Sequence, residues 1–161
     1  MKVAILGFGT VGRGVYEMIR GCGDLSCDHV LERPGIFTES FIVNDIEEIV
    51  SDKSIEAVVE CIGGTGIAHD FAVRCLEAGK HFVTSNKALV SAYGLELEAL
   101  ARKCGAAFLF SAACGGSMPI LLNLSIAVRS DRIMRAGGIL NGTCNYILHR
   151  CRIRSTAMGM R

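Results

Sequence analysis

The 161 residues, half of them hydrophobic and a fifth charged, are enough for one domain, or for one domain and the beginning of a second, which excludes a disulfide miniature and a disordered or fibrous chain. A formal net charge of +1, with acids and bases interspersed, predicts no polyanionic partner and no nucleic acid. No apolar stretch approaches the roughly 20 residues of a membrane span, so no membrane partner is expected either.

Strand-like apolar runs alternate with segments of helical period, the pattern of β-α-β units whose parallel sheet is buried on both faces. Residues 3–6 form the first strand. Val11, Val15, Met18, Ile19 and Cys22 then recur at helical spacing, and Gly21 and Gly23 stop that helix. A second strand is expected over 25–31, weakened by Asp28 and His29 and ended by Pro34-Gly35. A short strand at 41–43 leads into a helix that Asn44 or Asp45 can cap, because their side-chain oxygens accept the free amides of a first turn. Residues 57–62 read as a central strand, apolar on both faces except at Glu60. Ile67, Phe71 and Cys75, flanked by Ala68, Ala72 and Leu76, make a broad stripe on the next helix, which Gly79 ends. A strand at 81–84 follows. Leu89, Tyr93, Leu97, Leu100, Ala101 and Cys104 mark another helix ending at Gly105, and 106–110 another strand. Beyond it come a turn at Gly115-Gly116, Pro119, a helix over 120–128 and a strand through 137–140. Residues 150–161 hold four arginines and little apolar periodicity, and read as a solvated, irregular tail.

Of the eight cysteines, Cys61 falls in a strand-like run and Cys75 and Cys104 on helix faces, where thiols pack as small hydrophobes. Met1-Lys2 leads at once into a short apolar run and glycines, without the longer apolar stretch and cleavage site of a signal peptide. A cytoplasmic location with reduced thiols is therefore expected. Neither Cys-x-x-Cys nor His-x-x-x-His occurs, so no zinc site is expected.

Gly7-Phe8-Gly9-Thr10-Val11-Gly12 is a G-x-G-x-x-G that follows a predicted strand and opens a predicted helix. In a dinucleotide site the first glycine permits the tight turn, the second leaves room for a pyrophosphate, and the third lets helix and strand pack closely. The helix N-terminus then offers unpaired amides to the phosphates. The plainer reading is an ordinary glycine turn. Glu32 lies 20 residues past Gly12, where a carboxylate would accept the adenosine ribose hydroxyls of NAD. Arg33 beside it can pair with a 2′-phosphate and admit NADP. Alternatively both are surface charges in a turn, and the choice between NAD and NADP stays open.

Three later segments say more: residues 58–64 (VVECIGG), 78–89 (AGKHFVTSNKAL) and 138–148 (GILNGTCNYIL). In that order and spacing the chain, over roughly residues 1–149, resembles homoserine dehydrogenase. The resemblance implies an α/β fold, a Rossmann-type parallel sheet with helices on both faces, followed by the first elements of an α+β substrate domain. It divides the chain into a dinucleotide-binding domain at 1–128, the start of a substrate and dimerisation domain at 129–149, and an irregular basic tail at 150–161. It implies NAD(P)-dependent interconversion of aspartate semialdehyde and homoserine, in threonine, methionine and isoleucine biosynthesis.

Site residues carry over by position. Ile62, Gly63 and Gly64 would face the nicotinamide ribose. Ser85, Asn86 and Lys87 would hold the cofactor near the reacting centre, with Lys87 catalytic through its charge on an oxygen; without the resemblance Lys87 is a solvated lysine at a helix start. Residues 111–119 match the loop that binds a monovalent cation, here through the carbonyls of Cys114, Gly116 and Met118. Ser111 stands where the family usually has a glutamate and brings no charge, and the alternative is a hinge loop. Residues 141–146 would line the substrate side, or form a turn with Thr143 or Asn141 capping a helix.

In the family a substrate domain follows and supplies a second lysine for proton transfer. Here residues 149–154 leave the expected helix pattern, so a truncated or frame-shifted reading is expected, with the isolated chain weak or inactive; acid–base assistance alone is worth roughly 10²–10⁴ in rate. Competing readings are a non-catalytic dinucleotide-binding module and a damaged gene product. The latter would expose the apolar surface at 118–126, which relatives bury in a homodimer.

Overall fold

The computed structural model describes residues 1–116 and 118–158. Ser117 of the expected cation loop and residues 159–161 of the expected tail lie outside the described residues. The chain forms two compact units, Met1–Phe110 and Ser111–Arg161.

The first unit is built on six parallel strands, β1 (Lys2–Leu6), β2 (Ser26–Leu31), β3 (Ile42–Val43), β4 (Ile55–Glu60), β5 (His81–Thr84) and β6 (Phe108–Leu109), in the order β3-β2-β1-β4-β5-β6. This is the doubly wound Rossmann arrangement, with the strand order reversing between β1 and β4. Alternate residues of β1 sort to opposite faces, as the two-residue period of a strand requires. Ala4 and Leu6 join a core with Val58, Phe82 and helices α2 (Ile46–Val50), α3 (Gly66–Glu77) and α4 (Lys87–Lys103). Val3 and Ile5 join Val30, Ala57 and Ile19 of helix α1 (Thr10–Arg20) on the other face. Each such large side chain buried in full contributes on the order of 1.5–3 kcal/mol.

The buried faces correct the sequence stripes in places. On α1 the inward residues are Gly12 and Ile19, with Val15 and Tyr16 packed beside them, while Val11 and Met18 are 54% and 70% exposed. The close seat of Gly12 against β1 turns the helix by about one residue from the face that the larger side chains suggested. On α3, Ala68, Ala72, Cys75 and Leu76 are buried, but Ile67 is exposed. The predicted strand at 57–62 begins earlier and ends at Glu60, because the amides beyond Cys61 turn back to the Glu60 carboxylate. The strand at 106–110 shortens to two residues: the Ala106 amide closes α4 on Ala101, and the Ala107 amide donates to His81 Nδ1. Asp45, not Asn44, caps α2, accepting the Glu47 amide at 2.9 Å.

The second unit contains a 3₁₀ turn (Ser111–Ala113), α5 (Ile120–Ser130) and α6 (Gly142–Met158). The strand expected through 137–140 does not form; those residues pair with no neighbouring strand, and a lone strand leaves its backbone groups unpaired. Residues 150–158 of the expected irregular tail continue α6 instead. Asn141 caps it by accepting the Cys144 amide at 2.8 Å, and neither glycine nor proline interrupts residues 143–158. All eight cysteines are free thiols. Burial pushes Cys27 and Cys61 up to about 11 and Cys75 up to about 12, so these thiols stay protonated at neutral pH. Among the described residues no helix is long and apolar enough to cross a membrane.

Candidate functional site

Strand register decides where chemistry can gather. Leu31 pairs with Leu6, Leu6 with Glu60 and Glu60 with Thr84, so the carboxyl ends of β2, β1, β4 and β5 form one row. A crevice outside such a row, at the reversal of strand order, is where open parallel sheets bind ligands. A cleft of about 510 Å³ lies there, walled in part by Gly7, Gly9, Glu32, Arg33 and Ile62. A second hollow of about 590 Å³ sits at the amino ends of β4 and β5. Beside it the buried Lys80 is already engaged, donating to the carbonyls of Asp52 and Ile55 at 2.7 and 2.9 Å.

The three glycines of the first turn act for three different reasons. Gly7 has φ +94°, a left-handed value that L side chains rarely adopt, and a Cβ there would stand 3.1 Å from the Cys61 carbonyl. Its amide donates to the Leu31 carbonyl at 2.9 Å, tying the turn to β2. At Gly12 a Cβ would fall under 3.0 Å from the Gly7 carbonyl oxygen, closer than real Cβ atoms come. Gly9 has nothing within 4 Å of its Cβ position, so it keeps open space in front of the helix. Gly9 precedes α1 without any side-chain cap, and the first turn carries no acid. The amides of Thr10, Val11 and Gly12 therefore have no side-chain acceptor, an arrangement able to receive an anion.

Phe8 contributes through its backbone and as an anchor. Its ring is buried among Tyr16, Phe37 and Phe41, with centroids 5.7, 5.3 and 5.6 Å away, and the Arg13 guanidinium lies over Phe8 and Phe37. The Phe8 amide donates to Glu32 Oε2 and the Arg33 amide to Glu32 Oε1, both at 2.9 Å. Burial raises the Glu32 carboxyl, but the Arg33 and Phe8 amides and the Arg33 charge outweigh it and hold the group below its ordinary value. Each oxygen keeps a second lone pair for a ligand hydroxyl. The Arg33 side chain is 87% exposed, 3.9 Å from Glu32. Asn44 donates to the Glu32 carbonyl at 2.8 Å and steadies this corner.

At the end of β4 a fully buried carboxylate organises the backbone. Glu60 Oε1 accepts the amides of Ile62 and Gly63 at 2.7 and 2.9 Å, and Oε2 accepts the Thr84 hydroxyl at 2.6 Å. Thr84 Oγ1 accepts the Asn86 amide at 2.9 Å. Asn86 donates from Nδ2 to the Gly64 carbonyl at 2.6 Å and, through Oδ1, accepts the Leu89 amide as the cap of α4. Gly63 and Gly64 have φ +80° and +71°. Ser85 and Lys87 are exposed at the start of α4, and neither lines the 510 Å³ cleft.

The fold thus brings Gly7, Gly9, Glu32, Arg33 and Ile62 around one cleft, whereas Phe8, Thr10, Val11, Gly12, Gly63, Gly64, Ser85, Asn86 and Lys87 are not among the residues that line it. In the second unit, Gly115 and Gly116 have positive φ, and the Met118 carbonyl already accepts the Ile120 amide at 2.8 Å. Among the described residues no group of three or more His, Cys, Asp or Glu could hold a metal ion. From sequence, Thr84 and Glu60 belong to the segments that carry the resemblance but have no task of their own, Glu60 being an exception within an apolar run, and Asn44 is a candidate helix cap instead of a partner of the Glu32 carbonyl. A lone acid at the end of a strand buried on both faces was the available signal, because a carboxylate there must find donors.

Two family models match the chain: one described as homoserine dehydrogenase, NAD binding domain, over residues 7–111, and one described as homoserine dehydrogenase over residues 119–159. The second extends past residue 149, beyond the stretch over which the sequence motifs carry the resemblance. The homoserine dehydrogenase of Neisseria gonorrhoeae is 35% identical across 98% of this chain and 39% of its own length, and that of Bacillus subtilis 32% identical across 92% and 38%. The chain therefore spans about two fifths of the curated relatives it matches. Among solved structures, a homoserine dehydrogenase from Thiobacillus denitrificans superposes with TM-score 0.73 at 30% identity, over 83% of this chain and 34% of that one. A hyperthermophilic archaeal homoserine dehydrogenase in complex with NADPH shares the fold, with TM-score 0.62 at 23% identity over 74% of this chain and 46% of that one.

Proposed function

The chain belongs to the homoserine dehydrogenase family, and from that premise we propose that its cleft binds NADP or NAD, in an oxidoreductase that interconverts aspartate semialdehyde and homoserine. The observation that carries the reading is the pairing of Gly12 with Gly7: no side chain fits between them, so the uncapped start of α1 is seated directly behind the turn. In this reading the cofactor domain lies within residues 1–128, the substrate domain begins over 129–149, and 150–158 are its continuing helix rather than a free tail.

Each residue has a physical task. The backbone of residues 7–12 receives the pyrophosphate; within it the Gly7 amide is tied to the Leu31 carbonyl and the Phe8 amide to Glu32, which leaves the amides of Gly9, Thr10, Val11 and Gly12 as the donors. Glu32 and Arg33 meet the adenosine ribose, the first accepting hydroxyls and the second able to pair with a 2′-phosphate. Ile62, Gly63, Gly64, Ser85 and Asn86 shape the nicotinamide end. When bound, the nicotinamide supplies the hydride chemistry. Lys87 places positive charge at the start of α4, where the helix dipole disfavours a cation unless an electron-rich oxygen lies near, and in this role it polarises the substrate oxygen. A monovalent cation on the carbonyls of Cys114, Gly116 and Met118 forms no step of this reading, since Ser111 supplies no negative charge there.

Titration of the purified chain with NADPH and NADH tests the first half, and homoserine oxidation the second. Saturable uptake of at least one reduced carrier is expected. Folded protein that takes up neither overturns the cofactor reading.

A further inference from the structure

We infer that Glu60 and Thr84 are positioning residues: together they set the loop after β4 and the start of α4 as one rigid unit, and so decide how the nicotinamide half is held. This deepens the dinucleotide reading above and rests on it. The hydrogen bonds form a closed circuit: from Glu60 to the Ile62 and Gly63 amides, along the chain to the Gly64 carbonyl, across to Asn86 Nδ2, from the Asn86 amide to Thr84 Oγ1, and back to Glu60 Oε2. Register makes the circuit possible, because Glu60 and Thr84 are direct partners across β4 and β5.

Chemistry explains why the position holds a carboxylate. Three donors converge on two oxygens in a fully buried place, and Glu60 has no ion-pair partner among the described residues. Desolvating a charge is unfavourable, so a structure needing only a filled volume is served better by an apolar side chain. Glutamine matches the shape but carries an NH₂ of its own. With its oxygen on the two amides, that NH₂ points at Thr84 Oγ1, which already accepts the Asn86 amide, and the threonine hydroxyl proton is left without an acceptor. Only an acceptor-only group satisfies every donor. What the circuit fixes is a loop with two consecutive left-handed glycines, Gly63 and Gly64, together with the residue immediately before Lys87. None of its members lies in the glycine turn that faces the pyrophosphate.

The test uses Thr84→Val, which keeps the shape and removes the hydroxyl, and Thr84→Ser, which restores it; Glu60→Gln is the harsher variant. The probes are NADPH and NADH against 2′-phospho-ADP-ribose and ADP-ribose, which lack the nicotinamide, together with amide hydrogen exchange at Ile62 and Gly63. Thr84→Val is expected to weaken the better-bound dinucleotide about tenfold, as losing one buried hydrogen bond of ~1.4 kcal/mol would. Its ADP-ribose counterpart should be held within about twofold, and exchange at the two amides should accelerate, with Thr84→Ser reversing both changes. Wild-type affinity for the dinucleotides in Thr84→Val, or an equal loss for both classes of probe, overturns the proposal. If the wild-type protein takes up no nucleotide, the cofactor reading falls and this one with it. If nucleotide binds but the exchange at Ile62 and Gly63 is unprotected in the wild type, only this inference falls.

Discussion

At the end of β1 the backbone turns because Gly7 and Gly12 lack side chains; at the end of β4 it turns because Glu60 has one. The first turn relies on empty space and a left-handed residue, with Gly12 against the Gly7 carbonyl and open volume in front of Gly9. The second also contains two left-handed glycines, Gly63 and Gly64, but it is held by three hydrogen bonds gathered by a buried carboxylate. The difference teaches what each can tolerate. A turn made by absence fails when an atom is added, whereas a turn made by hydrogen bonds fails when an acceptor is removed.

The comparison can be broken most severely at Glu60. Glu60→Ala strands the Ile62 and Gly63 amides and the Thr84 hydroxyl inside the protein, at ~1–3 kcal/mol each before water or relaxation helps. A net loss of about 3–4 kcal/mol is expected in urea unfolding, with a melting temperature lower by roughly 6–16 °C. A wild-type melting curve would show that the circuit does not hold the loop. Next comes Gly12→Ala. Its added carbon collides with the Gly7 carbonyl, so stability should fall by about 2–3 kcal/mol and NADPH uptake should disappear at accessible concentrations.

Gly9→Ala sharpens the contrast, since its added carbon meets no protein atom. Stability should change by less than about 1 kcal/mol while nucleotide affinity drops about tenfold or more, because only a ligand would feel that carbon. Equal affinity in calorimetric titration would place the phosphates elsewhere. The smallest effect belongs to Glu32, which staples the first turn through the Phe8 amide. Its folded carboxyl titrates below the ordinary 4.5, so its stabilisation is complete above that value and is lost as pH falls through the folded value. Glu32→Gln should melt a few degrees lower at pH 7, for about 1 kcal/mol of hydrogen bonding, and the gap to wild type should close below about pH 4.5. A gap that persists at low pH would assign the loss to packing.

Much of this molecule is legible from one dimension. Strands buried on both faces, helices of amphipathic period and the strand–glycine–helix signature at residues 3–12 follow from side-chain solubility and backbone sterics, which act over a few neighbouring residues. The same local rules misplace the stripe of α1, where Val11 and Met18 are apolar yet exposed, because the inward face there is set by how closely Gly12 approaches the strand. They also invent a strand at 137–140 and an irregular tail after 150, since a strand needs a neighbour and α6 is recognisable mainly by its cap at Asn141 and the lack of breakers.

The sequence by itself determined the alternation of strand and helix that a doubly wound sheet needs, and the glycines of the first turn, because each is written in residues close in the chain. Only the tertiary structure decided that Glu60, Thr84 and Asn86 act as one group, and that Glu32 clasps the turn 24 residues before it. Those contacts exist because strand register brings distant residues side by side, and register is a property of the assembled sheet.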